Sequence, residues 1–179
     1  MDCSSTTLKV ICIFILATTS IDGARYFSVE LLKANFTVTN KAIVQSLHSH
    51  VYNRKVLYND FIFNEDVPVF DVTVGVDMMK KDNHPSPIWN QTFSGCELLE
   101  NSQKINLLVI LRREIFRVSN LPKACPLLKN KWYTIKNYTI RDDDFPIVTP
   151  IMEWRLKGDF SIRQKSFIHV IAVGRIRKL

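Results

Sequence analysis

Few of the reactive side chains in this sequence stand at the spacings that catalysis or metal binding requires. His48 and His50 are two residues apart, so on a β-strand they would share one face, as pairs of metal ligands do. No third ligand stands at a matching distance, and we interpret both as surface histidines. The acidic run Asp142–Asp144 lacks the spacing of a calcium-binding loop and is interpreted as a solvated turn. We therefore expect neither a metal site nor a cofactor.

Catalytic motifs are also missing from the sequence. It contains no nucleophile elbow, no HExxH motif, no Gly-rich phosphate loop and no Cys/His pair outside a disulfide. Carboxylates that are distant in the sequence could still meet as an acid–base pair. Because no residue pattern points to such a pair, we expect a binding protein rather than an enzyme.

The N-terminal segment is typical of a secretory signal peptide. Its apolar core, Val10–Ala17, follows Lys9 and precedes a small polar stretch. The core is about half as long as the roughly 20 residues that a membrane-spanning helix needs. We place the signal peptide at residues 1–23 and one mature domain at 24–179, and we expect a secreted, extracellular protein.

The cysteines and glycosylation sequons agree with secretion. Cys3 and Cys12 leave with the signal peptide, so Cys96 and Cys125 form the remaining pair. A disulfide between them is expected in an oxidising compartment, and two free buried thiols are the alternative. Three Asn-x-Thr sequons predict glycosylated asparagines that face solvent: Asn35, Asn90 and Asn137.

The periodicity of the mature chain is mainly that of β-strands. Residues Phe70–Met78 alternate apolar and polar side chains, as a half-buried strand does, and Met152–Lys157 repeats this pattern. The continuous apolar run Phe167–Val173 predicts a strand covered on both faces. Weaker strands are predicted at 26–32, 35–39, 51–64 and 132–140.

One segment instead has the period of an amphipathic helix. Asn101 and Ser102 can cap a helix start, and apolar residues then recur at steps of three and four. These apolar residues are Ile105, Leu108, Leu111, Ile115 and Val118. The predicted helix lies between Cys96 and Cys125. Many short strands with one helix predict a mainly β fold, an immunoglobulin-like sandwich of two antiparallel sheets with one helical insertion.

The charge of the chain limits its partners. The sequence carries a net charge of +7, but its basic residues are scattered rather than massed in one segment. Nucleic acid is therefore not an expected partner of this secreted chain. The positive charge could attract the protein to an anionic membrane surface or to an acidic receptor surface, or it could serve only to keep the protein soluble. We expect a monomer.

The C-terminal part of the sequence resembles the ML lipid-recognition domain. The resemblance rests on Cys125-Pro126, Tyr133, Phe145-Pro146, Glu153-Trp154 and Leu156 followed by an apolar final strand. That family includes the Niemann-Pick type cholesterol carriers and, more distantly, the ganglioside activator protein. The final-strand cysteine of the cholesterol carriers has no counterpart here, since the sequence reads Phe167-Ile168-His169.

From Phe61 onward the sequence is also similar to an insect family of uncharacterised secreted ML-like proteins, to which the fly chemosensory B proteins are related. This similarity rests on Asn90–Thr92, on Gly95–Leu99, and on the segment Ser119–Leu127. The predicted helix takes the place of a short loop between the paired cysteines of the cholesterol carriers.

The resemblance implies a secreted, non-catalytic protein that carries or presents a lipid or other apolar small molecule between its two sheets. The candidate pocket residues are Phe70, Val72, Val74, Val76, Leu108, Leu111, Phe145, Pro146, Val148 and Trp154. The same apolar rows could instead form a closed core. The alternative function is then a secreted interaction protein that acts through its basic surface on a receptor or membrane, in chemosensation or reproduction.

Overall fold

Strands dominate the part of the chain that the structure, a computed structural model, describes, which is residues 26–79, 84–100, 106–145 and 149–179. The described strands are β1 (Phe27–Val38), β2 (Val44–Tyr52), β3 (Val56–Phe63), β4 (Asp71–Met79), β5 (Pro85–Ser94), β6 (Tyr133–Thr139), β7 (Met152–Ile162) and β8 (Lys165–Lys178). The helices are α1 (Gly95–Glu100) and α2 (Asn106–Arg117), and a single 3₁₀ turn covers Asp142–Asp144. The predicted signal peptide and the predicted helix cap at Asn101 and Ser102 lie outside the described residues.

The strands form two antiparallel sheets, which confirms the predicted β-sandwich. The five-stranded sheet has the order β1-β8-β7-β4-β5, and the three-stranded sheet has the order β2-β3-β6. Because side chains alternate along a strand, each sheet has an inner face toward the other sheet and an outer face.

The apolar interior is divided into two clusters of buried side chains. The larger, called the main cluster here, is built around Phe63, Phe70, Val72, Tyr133 and Phe167. The smaller, called the end cluster, consists of Phe27, Val29 and Ile176, with Ile140, Phe145, Met152 and Trp154 packed against it. The two clusters lie at opposite ends of the long strands β1 and β8, since these strands contribute residues to both.

Four predicted strands differ from the observed ones. The predicted strands 26–32 and 35–39 form the single strand β1. The predicted strand 51–64 includes the end of β2 and all of β3, and it is interrupted because Asn53 and Arg54 have positive φ angles and reverse the chain between them. The final strand is not covered on both faces as predicted, because Ile171 on its outer face is 39% exposed. A register shift near Phe160 lets the neighbouring residues Phe167 and Ile168 both be buried.

The sequence did not predict β5, α1 or most of β2. Strand β5 contains Pro85 and Pro87, which interrupt the apolar alternation and suit an edge strand. The helical insertion comprises two helices in the described residues, and Arg112 of α2 joins them. Its guanidinium donates hydrogen bonds to the carbonyl oxygens of Leu98 and Leu99 near the end of α1, at 2.7 to 3.2 Å.

The turn at Asp142–Asp144 is more than a solvated loop, which corrects the interpretation from sequence. The Asp142 carboxylate accepts a hydrogen bond from the Val29 backbone N–H at 2.7 Å, and it forms an ion pair with Lys55 Nζ at 3.1 Å. On the same strand the Leu31 N–H donates to the Arg54 carbonyl at 2.7 Å. These contacts satisfy donors on the open edge of β1 and hold the 142–144 turn beside the end cluster.

Candidate ligand-binding region

Between the main cluster and the end cluster lies a stretch of inner face that belongs to neither core, which we call the middle zone. On the five-stranded sheet the middle zone consists of Leu31, Ala34, Val76, Leu156, Ala172 and Gly174, and Trp154 of the end cluster borders it. On the three-stranded sheet it consists of Ser49, Val51, Leu57, Asn59, Ile135 and Tyr138. The strand registers place these residues on the inner faces, because they alternate in step with residues of the two clusters.

Several apolar side chains of the middle zone keep accessible surface although they point inward. Val76 on β4 and Leu156 on β7 face each other across neighbouring strands, away from the edges of the sheet, and both are only half-buried. Leu31 and Ala172 are buried, yet neither belongs to the main cluster or the end cluster. Inner-face residues of a tightly packed sandwich are expected in its core. The middle zone therefore differs from the cores on either side of it.

Small residues shape the five-stranded wall of the middle zone. Gly174 pairs with Trp154 across β8 and β7, and a Cβ atom on Gly174 would overlap the indole ring. The absence of this side chain lets the indole ring lie close to the β8 backbone at Gly174. Ala34 and Ala172, which pair with each other, also project little into the space between the sheets.

The middle zone also holds polar side-chain atoms without hydrogen-bond partners. Among the described residues, Ser49 Oγ, Asn59 Oδ1 and Trp154 Nε1 are buried and make no hydrogen bond. Ser49 and Asn59 are directly opposite each other on β2 and β3, and Asn59 is only 4% exposed. Each such atom destabilises the protein by about 1–3 kcal/mol unless something pairs with it. Two of these atoms, on Ser49 and Asn59, lie together in the middle zone, which requires an explanation, and the third, on Trp154, lies at the end cluster.

Tyr138, at the β6 side of the middle zone, keeps its proton at physiological pH. Burial, together with the negative charges of Asp144 and Glu114, raises the pKa of Tyr138 to about 12. Burial works to raise the pKa of Glu114 as well, but hydrogen bonds from Arg117 and Arg113 outweigh it and lower that pKa.

The candidate pocket residues are distributed over three places rather than one. Phe70 and Val72 are buried in the main cluster, and Val74 packs at its margin. Val76 lies in the middle zone. Phe145 and Trp154 both pack against the end cluster. The side chains of Leu108 and Leu111, and all of Pro146 and Val148, lie outside the described part of the chain.

The sequence reasoning missed Ser49 and Asn59. Both lie on strands whose inner faces carry apolar residues two positions away, namely Leu47 and Phe61. A polar residue at an inner position of a period-two pattern is the signal that could have found them. The weak alternation of these strands hid that signal.

The outer face of the five-stranded sheet carries two carboxylates that are each paired with two cations. Glu30 accepts hydrogen bonds from Arg175 and Arg177 at 2.7 and 2.8 Å. Asp77 is paired with Arg155 at 2.7 Å and Lys157 at 3.1 Å. Hydrogen bonds from Arg175 and from Arg155, respectively, lower the pKa of Glu30 and of Asp77, although burial opposes both shifts.

These two carboxylates are therefore ionised at neutral pH and are fully engaged by their partners, so they are poorly suited to donate protons. The histidines are likewise placed as surface groups. His48 is exposed and contacts Asp60 at 3.1 Å, and His50 is exposed on the same outer face. Within the described residues, no three potential ligands are grouped as a metal ion would need.

The disulfide and the sequons occupy the predicted environments. Cys96 and Cys125 are bonded, with their Cα atoms 5.4 Å apart, which confirms the predicted pairing. Asn35, Asn90 and Asn137 are exposed, each on a strand at the edge of its sheet. Their glycosylation stays a prediction. In the described chain, no helix has the length and apolar content needed to cross a membrane.

Part of the chain matches the model of a protein family. Residues 74–156 match the model of a family described as "Protein of unknown function (DUF1091)". The match covers just under half of the chain and runs from within β4 to within β7, so it includes both described helices, the disulfide and two residues of the middle zone on the five-stranded sheet, Val76 and Leu156. No curated protein matches the chain.

Proposed function

We propose that the protein is a secreted, non-catalytic carrier of a lipid or other apolar small molecule, which it holds between its two sheets in the middle zone. The observation that carries this proposal is the accessible apolar surface of inward-facing residues, above all Val76 and Leu156, between two closed cores. Covering such surface with a hydrocarbon gains roughly 0.8 kcal/mol per CH₂ group, so a ligand of modest length suffices for binding.

Three further features support the proposal. The resemblance to ML-like lipid-recognition domains points to the same space between the sheets. The disulfide and the three exposed sequons fit a protein that matures in an oxidising secretory compartment. The two carboxylates of the outer sheet face, Glu30 and Asp77, are held ionised by their cations, which fits a binding role better than acid–base catalysis.

The test is to identify what the protein carries. The protein is purified from the medium of secreting cells and extracted with organic solvent, and the extract is analysed by mass spectrometry. Binding is measured in parallel with a panel of fluorescent fatty acids, sterols and long-chain hydrocarbons. We expect an apolar compound in near-stoichiometric amount. A folded protein that releases no such compound and binds no member of the panel would refute the carrier function.

Two matched variants locate the binding region. Val76→Trp fills the middle zone from the inner face of β4, whereas Ile171→Phe enlarges an exposed apolar residue on the outer face of β8. Binding should fall strongly in Val76→Trp and stay unchanged in Ile171→Phe, with circular dichroism confirming that both fold. Equal binding by both variants would place the ligand elsewhere.

A second candidate function is an interaction through basic groups on the outer face of the five-stranded sheet. Four cations surround Glu30 and Asp77 on that face, and Glu153, which pairs with Arg175 across β7 and β8, adds a third carboxylate, so these groups together carry one excess positive charge. Sedimentation with vesicles of an anionic phospholipid, with zwitterionic vesicles as the control, tests this candidate. Binding to anionic vesicles in a protein that carries no ligand would favour it over the carrier function.

A further inference from the structure

The middle zone contains hydrogen-bonding atoms that an apolar core would not keep. Asn59 is the clearest case, because its side chain is more than nine-tenths buried and its Oδ1 atom has no partner in the described residues. Ser49 Oγ stands directly across from it on β2. Leucine or alanine at these positions would fill the same inner face without an unpaired polar atom.

The two atoms are complementary to one ligand group. Asn59 Oδ1 can only accept a hydrogen bond, whereas Ser49 Oγ can donate or accept one. Because the two residues are directly opposite each other on neighbouring strands, one ligand atom between them can reach both.

We propose that the ligand of the middle zone is an apolar molecule that carries a hydroxyl group, such as a long-chain alcohol, and that this hydroxyl is recognised by Asn59 and Ser49. This inference rests on the proposed carrier function. A hydroxyl donates one hydrogen bond and accepts others, so it can donate to Asn59 Oδ1 while it accepts from Ser49 Oγ. A hydrocarbon pairs with none of these atoms, and an ester or ether oxygen only accepts.

A matched series of probes tests this recognition. 1-Hexadecanol, its methyl ether and hexadecane compete for the full-length secreted protein against a neutral apolar fluorophore, N-phenyl-1-naphthylamine. The alcohol should displace the fluorophore at concentrations about tenfold lower than the hydrocarbon, since one buried hydrogen bond is worth about that factor, and the ether should lie between them.

Two variants assign the preference to the named atoms. In Asn59→Leu the alcohol and the hydrocarbon should bind alike, while binding of the hydrocarbon itself is kept or improved. Ser49→Ala provides the same comparison with a smaller change, in case Asn59→Leu does not fold. Both variants should also unfold at a higher temperature than the unliganded wild type, because each removes an unpaired buried polar atom.

The outcomes separate this proposal from the carrier function. If no probe binds, the carrier function fails. If all three probes bind equally in the wild type, the carrier function stands and hydroxyl recognition is refuted. Equal binding is the result expected if only water pairs with Asn59 Oδ1 and Ser49 Oγ. A lower unfolding temperature in both variants, with the alcohol preference intact, would likewise refute it and would assign Asn59 and Ser49 a structural role.

Discussion

Removal of the Cys96–Cys125 disulfide should lower the free energy of unfolding, and the number of residues between the two cysteines determines by how much. The bond joins α1 to the segment just before Leu127, and both cysteines pack against the main cluster. The cysteines are 29 positions apart, and closing a loop of that length in the unfolded chain corresponds to about 3.5 kcal/mol at 25 °C.

The double variant Cys96→Ala/Cys125→Ala measures this contribution. For a domain of this size, a loss of about 3.5 kcal/mol corresponds to a fall of roughly 7–14 °C in the midpoint of thermal unfolding. Urea unfolding at 25 °C gives the free energy directly. The wild type in a reducing agent is the control, and it should match the double variant, because both lack the bond and differ only in the two sulfur atoms.

Two results would contradict this reasoning. A loss below about 1 kcal/mol in the double variant would mean that the unfolded chain is already compact between the cysteines, so that the bond restricts it little. A wild type secreted with two thiols open to alkylation would show that the bond does not form in the cell. In that case the oxidising compartment proposed for the protein would also be wrong.

Two other predictions concern the outer surface. Acid should destabilise the fold partly through Glu30 and Asp77, because the pKa values of both carboxyls in the folded protein lie below their ordinary values of 4.5 and 3.8. The stability that these carboxylates contribute is complete above the ordinary pKa values, and it is lost as the pH falls through the lowered ones. Unfolding temperatures between about pH 6 and pH 2 should therefore decline less steeply in Glu30→Gln/Asp77→Asn than in the wild type, and parallel declines would exclude these groups as the cause. When the protein is produced in secreting cells and treated with peptide-N-glycosidase F, the wild type should lose the mass of three N-linked glycans. The variant Thr92→Ala should lose the mass of only two. An unchanged wild-type mass would show that the sequons are not used.

The sequence was most informative where one strand repeats a strict alternation. The pattern of Phe70–Met78 located β4 to within a residue, because a strand with one buried face needs apolar side chains at every second position. The cysteine pair was predicted equally well, since only two cysteines remain after the predicted signal peptide. The turn at Asn53 and Arg54 was not predicted, because Arg is not a typical turn residue and a single Asn is a weak turn signal beside the positive φ angles of both residues that end β2.

The candidate site was harder to predict from the sequence than the fold was. Val76 and Trp154 could be assigned to an inner face from sequence, but Phe70 and Val72, on the same predicted face as Val76, lie inside a closed core. Position along the strand separates these cases, and it has meaning only once the second sheet is in place. The unpaired atoms of Ser49 and Asn59 could not be predicted from the sequence for the same reason.

The sequence by itself determined that this chain forms antiparallel β-strands with a helical insertion and one disulfide, because side-chain period and cysteine number are local or countable properties. Tertiary structure alone decided that the interior is divided into two cores with a partly polar zone between them. Which residues meet across two sheets depends on strand register and sheet order, and neither is encoded in the period of any single strand.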